Sequence, residues 1–283
     1  MTGGWRLNRK RIVWIALIIA AFAAISAARG APITPKIIGI ILLCFACELV
    51  DSSLGMGYGT ALTPILLAMG YSPLQLVPSV LFSELMSGFA ASYFHHDSGN
   101  VDFSRRTRDL KVASLLAAGS VLGVGVGVSL AVRVPADMLK IIIGVIITGA
   151  GAAIWVLHAR TFAYRTWKMV ALAATASFNK ALSGGGYGPL MTSGQVLSGI
   201  EGKASVGITS FAEAFTCLIG VILFLAKGKR FDYDLLVPMV TGALLSVPLS
   251  TEFVRHIDEL KLKRLIAVVT VLLGLFTLYK VLA

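Results

Sequence analysis

Two glutamates lie where a chain of this kind can least easily carry them. Glu84 and Glu213 each sit well inside a strongly apolar stretch of the 283-residue sequence. A charged group at the centre of a membrane helix costs about 2.5–3.5 kcal/mol on insertion scales. Each carboxyl is therefore expected to face protein or a cavity rather than lipid, and to hold a proton part of the time. Such a carboxyl can carry coupling protons; it can equally stay neutral and bridge two helices by hydrogen bonds. Lys180 is the one basic residue beside either of two glycine clusters. It reads either as the counter-charge of a bound anion or as the partner of an acidic side chain. Glu48 and Asp51 stand just ahead of the first cluster.

The clusters are Leu54-Gly55-Met56-Gly57-Tyr58-Gly59 and Ser183-Gly184-Gly185-Gly186-Tyr187-Gly188. Each interrupts an apolar stretch and is followed by a short apolar segment. Pro64 and Pro189 stand near the starts of those segments, where they suit the first turn of a helix. The pattern predicts a re-entrant hairpin or broken helix with its loop at membrane depth, tolerated only where buried in protein or lining a cavity. Half-helix N-termini there would aim free N–H groups and a positive dipole inward, and glycine lets a ligand approach the backbone closely. The site so described favours an anion. Its candidate binding residues are Gly55, Gly57, Tyr58, Gly59 and Thr60 in the first cluster. In the second they are Asn179, Lys180, Ser183, Gly184, Gly185, Gly186, Tyr187 and Gly188. Glu84 and Glu213 are the candidate proton-coupling pair. Ser52, Ser53 and Thr63, and Thr192, Ser193 and Gln195, add donors of the kind oxyanions need. Small residues also serve close helix packing in membranes, which is the reading for Gly123, Gly125 and Gly127.

Long apolar elements must position these groups. The chain is 57% hydrophobic and 14% charged, against roughly 45–50% and about 25% in soluble domains. Its apolar residues fall in blocks, which excludes a soluble, disordered or disulfide-scaffold protein and predicts an all-α polytopic membrane protein. Barrel strands would alternate apolar and polar instead. A first block at about 12–28 follows a basic N-terminus. Ser26-Ala27-Ala28 resembles a signal cleavage site, yet the membrane segments that follow favour an uncleaved first span. Further blocks occupy roughly 37–50, 61–71, 76–95, 110–132 and 138–158, then 169–182, 189–199, 203–226, 235–253 and 264–282. Those at 61–71 and 189–199 fall short of the ~20 residues a crossing needs. The expectation is about seven full spans plus two re-entrant hairpins.

A shift of 129 residues superposes the two clusters without a gap. Gly55, Gly57, Tyr58 and Gly59 fall on Gly184, Gly186, Tyr187 and Gly188. Thr63, Gly70, Val77, Phe82 and Glu84 fall on Thr192, Gly199, Val206, Phe211 and Glu213. Nine of the thirty positions from 55 to 84 agree, where unrelated pairing would give roughly two. Asp51 is matched by Lys180, and Gly119 pairs with Gly242 after a shortened loop. The chain thus reads as an N-terminal helix (1–35), a first repeat (36–160) and a second repeat (168–283) within one membrane domain. Basic patches at Arg6–Arg11, Arg105–Lys111 and Arg160–Lys168 follow the positive-inside rule and make the repeats inverted. Lys227, Lys229 and Arg230 strain that orientation, against Arg255, Lys261, Lys263 and Arg264. Inverted repeats characterise secondary transporters working by alternating access.

The net charge of +11 is spread over these loops, so it points to no nucleic-acid partner. Cys44, Cys47 and Cys217 lie in apolar segments as small packing residues. No ligand set surrounds Cys44-x-x-Cys47, and no metal or cofactor is expected. His95 and His96 read as interfacial. There is no Walker sequence, H-E-x-x-H or Ser/His/Asp set, so catalysis has no visible home.

The stretches Leu54–Gly70 and Ser183–Gly199 resemble the duplicated glycine-rich signature of the TauE/SafE family of membrane permeases. Gly184-Gly185-Gly186-Tyr187-Gly188-Pro189 matches it well; Gly57-Tyr58-Gly59-Thr60 lacks three consecutive glycines, although Pro64 is in place. The resemblance covers nearly the whole chain from about Lys36. The family is associated with export of sulfite and organosulfonates, so the resemblance implies a transporter of a small sulfur oxyanion in the bacterial inner membrane, surrounded by membrane lipid, without fixing the direction of transport; coupling to protons is the expectation from Glu84 and Glu213. The resemblance leaves room for a homodimer. Three alternatives remain at this level: a passive anion channel, a membrane scaffold or assembly factor without transport, and, third, a membrane enzyme.

Overall fold

A computed structural model describes residues 8–30, 32–135 and 165–258, with single positions 138 and 145 and a few beyond 258. Apart from those positions, the blocks expected at 138–158 and 264–282 lie outside the described residues, as does Arg160. The described residues are helical and contain no strand. Helix α1 is Arg9–Ala28, α2 Pro35–Leu54, α3 Tyr58–Ala68, α4 Pro73–Asp97 and α5 Arg108–Ala131. Helix α6 is Thr166–Ser183, α7 Tyr187–Leu197, α8 Gly202–Ala226 and α9 Tyr233–His256. Six of these, α1, α2, α4, α5, α8 and α9, are long and apolar enough to cross a membrane.

The starts follow from local chemistry. Thr34 and Thr107 accept the N–H of Ile37 and Leu110 at 3.3 Å, the N-cap bond that satisfies a free first-turn donor. Pro35 and Pro73 open α2 and α4, where a missing N–H is no loss. Pro64 departs from the expectation of a first-turn proline. Helix α3 begins six residues earlier, so Pro64 lies inside it and cannot bond the Thr60 carbonyl four residues back. Pro189 is in the first turn of α7, as expected.

Two helix pairs turn back within the bundle. Lys36, at the start of α2, lies over the ring of Tyr71, just past α3, at 5.1 Å. Leu66 and Ile40 share one core cluster. Helix α3 therefore returns to the end where α2 began. In the same way, Met169 at the start of α6 clusters with Ile200 just past α7. The hairpins open at opposite ends. Helix α9 begins at the α2 end, where Asp234 pairs with Arg29 at 2.8 Å. The α6 end carries Val101, Val112 and Arg108 and is called the basic face below. Lys227, Lys229 and Arg230 follow α8 at the other end.

The two halves are interleaved rather than side by side. Helix α9 packs most extensively on α2, and α5 on α6, with α4 against α8 between them. Gly119 lies against Val170 and Ala173, and Gly242 against Ile41 and Cys44, contacts that again differ by 129. Small residues at these crossings let the helices approach closely. Helix α1 stands outside this arrangement with few buried residues. It is tied on by Trp14, whose Nε1–H donates to the Leu244 carbonyl at 3.1 Å; Pro248, four residues on, leaves that carbonyl without its helical donor. Arg11 is buried and pairs with Glu252 at 2.7 Å, and also donates to Pro248 O and Ser98 Oγ.

Candidate functional site

Helices α2 and α6 end alike. Gly55 and Gly184 adopt φ +68° and +75°, and their N–H groups return to Asp51 O at 2.6 Å and Lys180 O at 2.7 Å. This is a left-handed helix stop that residues with a Cβ avoid. The remaining glycines make room. A Cβ on Gly185 would lie 2.6 Å from Gly59 C and 2.8 Å from Thr60 N. One on Gly59 would run into the Gly184 carbonyl, and one on Gly188 into the Gly55 carbonyl. The loops therefore cross backbone to backbone at the centre of the bundle. Gly186 N–H donates to Thr60 Oγ1 at 2.9 Å, and Thr192 Oγ1 donates to Gly55 O at 2.7 Å. All thirteen candidate binding residues belong to this crossing or its flanks. Ser183 Oγ receives Gly185 N–H at 3.1 Å and donates back to Asn179 O at 2.8 Å.

The charged residues gather at the same place. Lys180 is 1% exposed and forms ion pairs with Glu84 and with Glu213, the latter at 2.8 Å. Glu84 also accepts Gly59 N–H at 3.2 Å, and Asp51 Oδ1 accepts Tyr58 N–H at 3.1 Å. Two carboxyls thus cap the start of α3, where the helix dipole favours negative charge. At α7 the matching residues are Lys180 and Glu213. An ammonium accepts no hydrogen bond, and Glu213 turns to Lys180 instead. The duplicated frame therefore carries an asymmetric charge set, acidic in one half and a lysine–glutamate pair in the other. Glu48 lies nearby and accepts Ser52 Oγ–H at 2.5 Å.

Four buried carboxyls, Glu48, Asp51, Glu84 and Glu213, accompany one ammonium. One Lys180 charge balances one carboxylate. Burying the others as ions would carry a desolvation penalty of several kcal/mol each. The tyrosines are anchored apart from it: Tyr58 Oη is 2.8 Å from Ser83 Oγ, and Tyr187 Oη is 3.3 Å from Ser120 Oγ. Among the described residues no group of three or more His, Cys, Asp or Glu could hold a metal.

Some residues escaped the sequence reading. His95, in the last turn of α4, is wholly buried among protein groups, while His96 is exposed. His95 Nε2–H donates to Ser52 O at 2.9 Å and Nδ1 accepts from Asn100 at 3.0 Å. Thr209 joins Thr192 and Gln195 through its hydroxyl at 2.9 and 2.8 Å. A signal for it was present: Ser205, Thr209 and Glu213 recur every four residues along a largely apolar helix, one polar stripe at helical spacing.

No solved structure matches the chain. Over 235 residues it is 27% identical to the probable membrane transporter protein YtnM of Bacillus subtilis (strain 168), covering 78% of this chain and 75% of that protein. The family model for the sulfite exporter TauE/SafE matches residues 40–277, which takes in both glycine loops, Lys180, Glu84 and Glu213. On that match the chain belongs to the sulfite exporter TauE/SafE family of membrane transporters.

Proposed function

We propose that the chain is a secondary transporter that exports a small sulfur-containing anion, sulfite or an organosulfonate, by alternating access between inverted repeats. The observation that carries this reading is Lys180, buried between Glu84 and Glu213 where two glycine loops from opposite ends of the bundle cross. A compact oxyanion can take Lys180 as its counter-charge and the loop N–H groups as donors. In doing so it competes with Glu84 and Glu213. A carboxylate that loses its ammonium is left costly to bury and takes up a proton. Anion and proton binding are thereby linked, and Glu84 and Glu213 become the coupling groups. The loops in backbone contact favour alternating access over an open pore.

Purified protein reconstituted in liposomes tests this. Flux of sulfite or sulfoacetate driven by a pH gradient should be lost or uncoupled in Glu84→Gln and Glu213→Gln. Unchanged pH-driven flux in both variants would remove the coupling proposal. Poorly saturating flux without proton dependence would favour a passive anion channel.

A further inference from the structure

The two hairpin tips share a backbone plan but not their side chains. Leu54 and Met56 of the first loop match Ser183 and Gly185 of the second. Ser183 and Gly185 bond to each other. Met56 is fully buried in an apolar cluster with Leu54, Val206, Val254 and Leu262. Val206 stands seven residues before Glu213 on α8, about 10 Å nearer the basic face, and Val254 is two residues from the end of α9 there. The cluster thus lies between the charged centre and the basic face. Glu48, Asp51, Glu84, Lys180 and Glu213 are all buried behind it.

A second closure lies outside the first, at the turn after α4. His95 Nε2–H donates to the Ser52 carbonyl, one of the last carbonyls of α2, which a helix end leaves without an internal donor. Asn100 gives its two amide hydrogens to His95 Nδ1 and to the Thr251 carbonyl of α9, each at 3.0 Å. Val101 packs over Gly207 of α8, where a Cβ would lie 2.6 Å from Val101 Cγ1. The turn therefore joins α2, α8 and α9 across the basic face, and His95, Asn100 and Val101 are all buried. The turn after α8 has the same backbone. Ser98, Gly99 and Asn100 bond Phe94, His96 and His95 as Lys227, Gly228 and Lys229 bond Leu223, Leu225 and Phe224. There, however, Phe224 stands in the place of His95, and Lys229 and Arg230, in the places of Asn100 and Val101, are half-exposed and exposed. One copy of the duplicated turn is docked through buried polar side chains; the other presents cations.

We propose that the turn Ser98–Val101 is a strap that, with Met56 beneath it, shuts the charged centre off from the basic face, and that access from this face requires His95 and Asn100 to release Ser52 and Thr251. Met56 is the plug that the first loop carries and the glycine-tipped second loop lacks. The use of this gate in a transport cycle rests on the function proposed above; the closure itself does not.

The experiment uses single cysteines in a background in which Cys44, Cys47 and Cys217 are replaced by alanine or serine. The reporter is Thr209→Cys, at a buried position one turn before Glu213 on α8. Val80→Cys, at the equally buried matching position of the first half, is the control. A small membrane-impermeant methanethiosulfonate is applied to the basic face of oriented membrane vesicles. Asn100→Ala together with Met56→Ala should speed labelling at 209 by at least about tenfold, the change that losing one or two hydrogen bonds makes in an opening equilibrium. Labelling at 80 should not change. An unchanged rate at 209, or an equal rise at 80, would overturn the strap. If these variants fail to fold, hydrogen exchange on the unaltered protein decides: amides 98–100 should exchange at least about tenfold more slowly than amides 227–229, whose backbone bonds are the same. Equal or faster exchange at 98–100 would refute it. Labelling as expected in a protein without anion flux would sink the transport reading and leave the closure standing; unchanged labelling in a protein that transports would sink the strap alone.

Discussion

Gly185→Ala adds a single methyl group at the loop crossing. Its Cβ would lie 2.6 Å from Gly59 C, 2.7 Å from Gly59 O and 2.8 Å from Thr60 N. Ordinary contacts begin at about 3.4 Å, so the loops must part by roughly 0.8 Å. All three obstructing atoms are backbone, and no side chain can rotate away. Overpacking in tight interiors costs about 1–3 kcal/mol; with three backbone atoms in the way this crossing stands at the upper end of that range, and the lower chain entropy of alanine returns about 0.4–1 kcal/mol. A net loss of about 2 kcal/mol follows for the state in which the loops touch. At about 2–4 °C per kcal/mol, the detergent-purified variant should melt roughly 4–8 °C below the parent. The same 2 kcal/mol is about thirtyfold in a conformational equilibrium, so flux through a cycle that passes this state should fall by more than tenfold. Gly125→Ala is the control. It has open space around its Cβ and sits within α5, where alanine is the better helix former by about 1 kcal/mol. Thermal melting by gel filtration and liposome flux read both variants. A Gly185→Ala protein that melts within 1 °C of the parent and transports normally would refute the close crossing.

Other perturbations give equally definite outcomes. Lys180→Met leaves Glu84 and Glu213 without their cation, and breaking a buried pair costs about 3–5 kcal/mol. The loss in melting temperature should be large at neutral pH and shrink in acid, where protonation removes the unpaired charges; adding Glu84→Gln and Glu213→Gln should restore stability at neutral pH. Arg11→Met should destabilise toward the lower end of that same range, because Arg255 and His256 lie within 3.7 and 3.3 Å of Glu252, and Arg11→Met with Glu252→Gln should recover most of the loss. Trp14→Phe deletes one bond to the Leu244 carbonyl and should cost about 1 kcal/mol, read as a shift of a few degrees in melting.

The glycine clusters, their 129-residue register and the intramembrane charges were legible because each is a local departure from an apolar background. The register extends to whole elements: α3 and α4 begin and end 129 residues before α7 and α8. Lys180 left two readings open in sequence, since its partners lie 96 residues upstream and 33 downstream, and only the crossing of the hairpins joins them. Arg11 was hidden by its neighbours. Beside Arg9 and Lys10 it looks like one more solvated charge of a cytoplasmic end, and its partner Glu252 belongs to the last turns of α9. The burial of His95 was hidden for a similar reason. The Asn100 and Ser52 groups that satisfy it come from a following turn and a different helix. Pro64 was read as a helix start because sequence gives no sign that Tyr58 and Gly59 are already helical, their N–H groups being met by Asp51 and Glu84.

The most direct test of the centre is anion binding by thermal shift, with sulfite, sulfate, thiosulfate, sulfoacetate, taurine and chloride set against the purified protein. A specific ligand at a hundredfold excess over its Kd stabilises by about 2.7 kcal/mol. The expected result is selective stabilisation by sulfite or sulfoacetate, absent in the Lys180→Met, Glu84→Gln, Glu213→Gln triple variant. Equal stabilisation of that variant, or no response of the parent to any of these anions, would contradict a sulfur-anion site at Lys180.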